Sequence, residues 1–72
     1  MLKSSAMELI INGETRVFPA PLSAAALVET LGYTGKRVAL ERNGEIVPRS
    51  RHAEVMLGDG DLIELVVAVG GG

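Results

Sequence analysis

The segment LIELVVAVGGG, residues 62–72, decides how the rest of the chain is read. Side chains of an extended strand alternate between two faces, so Ile63, Leu65, Val67 and Val69 share one face, and Leu62, Val66 and Ala68 share the other with Glu64. A strand apolar on nearly both faces belongs in the middle of a sheet. It runs without a spacer into three glycines, which lack a Cβ and adopt nearly any φ and ψ. A stiff strand would thus aim a slim, adaptable tip of about 10 Å when extended. A free α-carboxyl at Gly72 would be ionised at neutral pH and able to attack an electrophile supplied by another protein, such as the α-phosphate of ATP. Gly72 is therefore the candidate reacting residue, Gly71 and Gly70 give reach, and Val69 and Val67 set the direction of exit.

Working outward from this strand, MELIIN places Met7, Leu9 and Ile11 on one side and Glu8 and Asn12 on the other, with Ile10 out of step. Asn12-Gly13 is the dipeptide that best tolerates a two-residue type I′ turn, and ETRVF returns the chain, giving a hairpin over residues 7–18. Pro19 and Pro21 lack a backbone donor, so the chain leaves the sheet there. Ser23 is a good N-cap for AAALVETLG, where Ala24, Leu27, Val28 and Leu31 recur on one helical face and Gly32 suits the left-handed stop. This helix is too short to stand alone and must form by packing on the sheet. In RVALER, Val38 and Leu40 alternate with Ala39 and Glu41; Asn43-Gly44 then predicts a second hairpin, and Pro48 confines the short strand EIV to an edge. A turn of helix is expected in SRHAEVML and a loop at residues 58–61.

The order strand, strand, helix, strand, short strand, strand predicts an α+β fold in which one helix covers one face of a mixed sheet of about five strands. With the last strand central and parallel to the first, this is the β-grasp, or ubiquitin-like, roll. Residues 1–6 would be a flexible N-terminal extension, 7–69 the domain and 70–72 the glycine tail. The uncovered face exposes Leu62, Val66 and Ala68, and an exposed apolar patch marks a partner-binding surface.

Composition narrows the function. The 72 residues are 47% hydrophobic and 22% charged, with a net charge of −2, which suits a folded domain and gives no electrostatic basis for binding nucleic acid. The chain has no cysteine, hence no disulfide, thiolate nucleophile or cysteine zinc site. His52 in RSRHAE reads as a solvated or locally hydrogen-bonded histidine, not a metal ligand or catalytic base; Asp59 and Asp61 read as a solvated turn; Arg42, Arg49 and Arg51 lie among glutamates as mixed solvated surface. No bound cofactor or metal and no membrane association are expected, a cytoplasmic location is expected, and no enzyme site is visible in the residues.

The run NGEIVPR, the DGD loop that follows it, the apolar last strand and the terminal Gly-Gly, together with LIINGE and LVETLG earlier, resemble the ThiS family of thiamin-pathway sulfur carriers over residues 7–72. The six-residue leader and a third glycine, Gly70, depart slightly from that pattern. The resemblance implies that a ThiF-like adenylyltransferase, using ATP and Mg²⁺, activates Gly72. A cysteine desulfurase or other persulfide donor would then supply sulfur to form a thiocarboxylate, and a ThiG-like thiazole synthase would receive it. Alternative readings are a small-subunit-like carrier of molybdopterin synthase, with the same fold and tail chemistry, and a ubiquitin-like binding module or protein tag.

Overall fold

The computed structural model describes residues 6–68. Strands β1 (Ala6–Ile11) and β2 (Glu14–Pro19) form the first hairpin, helix α1 spans Ala24–Thr30, strands β3 (Val38–Arg42) and β4 (Glu45–Val47) form the second hairpin, and β5 is Leu62–Val67. The sheet order is β2-β1-β5-β3-β4. β5 lies in the centre, parallel to β1 and antiparallel to β3, while β4 is an edge as Pro48 requires. This is the β-grasp arrangement. β1 begins at Ala6, paired with Pro19, so the sheet starts one residue before the expected boundary. Pro19 itself ends an edge strand, where its missing donor is tolerated.

The two Asn-Gly pairs make their turns as the sequence predicts: Asn12 and Asn43 have φ of 51° and 53°, and Gly13 and Gly44 have φ of 85° and 87°. Only the left-handed region closes a two-residue hairpin with the twist of the strands, and asparagine and glycine enter it at least cost.

α1 is defined at both ends. Ser23 Oγ accepts the Ala26 N–H at 3.0 Å. Carbonyls of Val55 and His52 accept the N–H groups of Ala24 and Ala25, so the loop after β4 satisfies donors that the first turn cannot. At the other end Gly32, at φ 84°, donates to the Glu29 carbonyl and Tyr33 donates to that of Val28, the paired bonds of a Schellman stop. The helix buries Ala24 and Leu27 completely in the core cluster that includes Leu9, Leu40 and Ile63. Val28 and Leu31, expected to be buried on the same face, are only half-buried at its margin.

The helical turn expected in SRHAEVML is a single 3₁₀ turn at Arg49–Arg51. After it, Leu57 docks in the core and its N–H donates to the Leu22 carbonyl. His52 is buried, not solvated: its Nε2–H donates to the Val47 carbonyl at 3.1 Å. A carbonyl can only accept, so the proton sits on Nε2. The histidine ties the segment after β4 back to that edge strand.

Candidate functional site: the last strand and its exposed face

β5 places its residues as their alternation predicts. Ile63 and Leu65 are buried in the core and Val67 is half-buried, whereas Leu62 and Val66 are 56% and 65% exposed and Ala68 is exposed. The pairing register carries this outer face across the sheet: Leu62 is level with Ile10, Val66 with Ala39, and Glu41 with Ile46. On β2, Val17 lies opposite Glu8. Ile46 and Val17 are 72% and 62% exposed, so the apolar face is broader than the three predicted residues. Among the described residues its carboxylates Glu8, Glu41 and Glu64 form no ion pair, the two pairs present being Arg42–Asp61 and Arg51–Glu54. An apolar face studded with unneutralised carboxylates fits a partner surface that is apolar with cationic groups at its rim.

Ala68 is the last residue described, and its N–H donates to the Arg37 carbonyl at 2.9 Å. Beside it Arg37, Val38, Ala39, Arg49 and Val66 line a shallow depression. Of the tail residues assigned from sequence, Val67 is held in β5, and Val69, Gly70, Gly71 and Gly72 lie outside the described residues. Among the described residues no three side chains of metal-ligating type converge, and no helix is long and apolar enough to cross a membrane.

Two side-chain networks hold the start and middle of β5, and sequence reading missed both. Asp61, taken as part of a solvated turn, is buried. Its Oδ2 accepts from Arg42 Nε and from the Gly58 N–H, each at 2.7 Å, and its Oδ1 accepts from Asn43 Nδ2 at 3.1 Å. Burial raises the pKa of its carboxyl, but the Gly58, Asn43 and Arg42 donors outweigh that and leave it below the ordinary aspartate value. Arg42 is thereby removed from the basic cluster read as solvated surface, while Arg51 keeps an exposed pairing with Glu54 at 3.6 Å. On the other side of β5, Asn12 Oδ1 accepts the Leu65 N–H at 2.9 Å and Asn12 Nδ2 donates to the Leu65 carbonyl at 3.2 Å. The available signal was the choice of asparagine in both turns, a residue whose side chain also carries a donor and an acceptor.

Residues 6–72 match the sequence profile of the ThiS family. The chain belongs to the ThiS family. A thiazole synthase of Paramagnetospirillum magneticum is 50% identical over 66 residues, covering 92% of this chain and 20% of that protein. The sulfur carrier protein ThiS of Bacillus subtilis is 54% identical over 46 residues, covering 64% of this chain and 70% of the relative. Among solved structures, the thiamine biosynthesis protein (ThiS) of Geobacter metallireducens superposes with a TM-score of 0.76 at 29% identity, over 92% of this chain and 100% of that one. The chain spans 20% of the length of each of the two thiazole synthases it matches. Family membership and fold therefore agree along the whole described domain.

Proposed function

We propose that this chain is a sulfur carrier for thiazole formation in thiamin biosynthesis, acted on by partner enzymes and binding no cofactor of its own. The observation that carries the reading is the ThiS family match running from β1 through residue 72, so that it includes the glycines beyond the central strand. In the first step an oxygen of the Gly72 carboxylate attacks the α-phosphorus of ATP, held with Mg²⁺ by a ThiF-like adenylyltransferase, and pyrophosphate leaves. The acyl-adenylate then has AMP as a good leaving group. The terminal sulfur of a persulfide, supplied by a cysteine desulfurase or similar donor, attacks the acyl carbon and expels AMP. A thiol cleaves the resulting S–S bond to leave the thiocarboxylate, and a ThiG-like thiazole synthase accepts its sulfur. An activating partner that uses ATP fits a carrier working in the cytoplasm.

The fold supports each requirement. A central strand fixed on both sides presents the tail, and the exposed Leu62, Val66 and Ala68 offer a docking face. A protein named thiazole synthase contains a stretch 50% identical to this chain, which supports the synthase as acceptor, because linking carrier and acceptor makes docking intramolecular. The test is direct. Deleting Gly72, or extending the chain beyond it by a bulky residue, leaves the circular dichroism spectrum and melting midpoint unchanged and abolishes sulfur loading by purified adenylyltransferase, ATP and persulfide donor. Loading of the extended chain at the normal rate would refute the assignment.

A further inference from the structure

Asn12 occupies the position where β1 stops and β5 continues. β1 pairs with β5 only at Ile10↔Leu62 and Ile11↔Ile63, and Asn12 adds one more main-chain bond, its N–H donating to the Ile63 carbonyl at 2.9 Å. At the next step a parallel ladder would have the Asn12 carbonyl accept the Leu65 N–H. Asn12 instead turns into the hairpin at φ 51°, and its side chain replaces the lost ladder: Oδ1 takes the Leu65 N–H and Nδ2 serves the Leu65 carbonyl. From Leu65 onward the main chain of β5 is held by β3 on one side, through Leu40↔Leu65, Ala39↔Val66 and Val38↔Val67, and by this one carboxamide on the other.

From this geometry we infer that Asn12 is a positioning residue for the tail, fixing the line along which β5 leaves the sheet; the inference rests on the sulfur-carrier reading. The carboxamide is suited to the task because it offers one acceptor and one donor in a plane, as a peptide group does. The same residue type also tolerates the left-handed turn. Without the carboxamide, the last residues of β5 are held by the β3 ladder alone, and the end of the strand samples a wider range of directions. Docking through the outer face is unaffected, whereas the fraction of docked molecules with the acyl group in line for attack falls. Small misplacements of a reacting group cost rate far more than binding.

The experiment compares the full chain with Asn12→Gly, which keeps the positive φ and removes the carboxamide, and with Asn12→Asp, which keeps an acceptor for the Leu65 N–H but, when ionised, no donor for its carbonyl. Ser23→Ala, which removes the helix cap far from the tail, serves as a control of comparable destabilisation. Two readouts apply: steady-state adenylation by a ThiF-type enzyme with ATP, and amide hydrogen exchange resolved by residue. For Asn12→Gly, kcat falls roughly 10- to 100-fold with KM near that of the unmodified chain, and exchange at Leu65, whose N–H loses its acceptor, rises above that of the core strands. Asn12→Asp falls between the two, and Ser23→Ala keeps the normal kcat. An Asn12→Gly chain adenylated at the normal kcat, or one whose kcat drops only as far as that of Ser23→Ala, overturns the inference while leaving the carrier reading intact. If the unmodified chain is not adenylated, the carrier reading fails and the inference fails with it.

Discussion

Asp61 shows how a single residue tunes the domain. Its folded-state pKa lies below the ordinary aspartate value, so its carboxylate contributes stability that is fully present above the unfolded pKa and is lost as pH falls through the folded one. Asp61→Asn therefore lowers stability at neutral pH by about 1–3 kcal/mol, the cost of unmaking buried hydrogen bonds to a charged group, and flattens the acid limb of the stability curve. Urea unfolding between neutral and acid pH measures both effects; equal losses for the two chains on acidification would show that this carboxylate is not the linked group. This burial was not legible from local pattern, because DGD reads as a loop. What buries Asp61 is Arg42, Asn43 and Gly58, and Arg42 and Asn43 lie 19 and 18 residues away. Of the two readings of His52, the local hydrogen bond holds, to the Val47 carbonyl five residues away, whereas its burial comes from tertiary packing that no local pattern shows.

At the scale of the element, β5 has one face in the core and one turned to solvent. The alternation of residues 62–68 made both faces legible, as the two Asn-Gly turns, the Ser23 cap and the Gly32 stop made the elements around them legible. These features are local, so their physics is contained within a few residues of sequence. The breadth of the outer face was not legible in advance, because it depends on the registers that bring Ile46 and Val17 into the same plane. Val66→Glu tests this face. The side chain is exposed, so the variant keeps its fold and nearly its melting midpoint. Its affinity for the adenylyltransferase falls about tenfold or more, as expected when a central apolar contact is replaced by a charge. Calorimetric titration measures the affinity, and unchanged binding would move the docking site off β5.

For the whole molecule, division of labour explains the architecture. One helix covers one face of five strands, the other face remains available for partners, and the central position of β5 gives a small, cysteine-free domain a firm base for its glycine tail. On the proposed reading, adenylation and sulfur transfer fall to partner enzymes, and the contribution of the domain is presentation. The most direct measurement is the intact mass of the chain after incubation with a ThiF-type adenylyltransferase, ATP, Mg²⁺, a persulfide donor and a thiol reductant, followed by fragmentation to locate any change. Replacement of one oxygen by sulfur, localised to the carboxyl group of Gly72, is the predicted result. A chain of unchanged mass, under conditions in which the Bacillus subtilis relative is loaded, would contradict it.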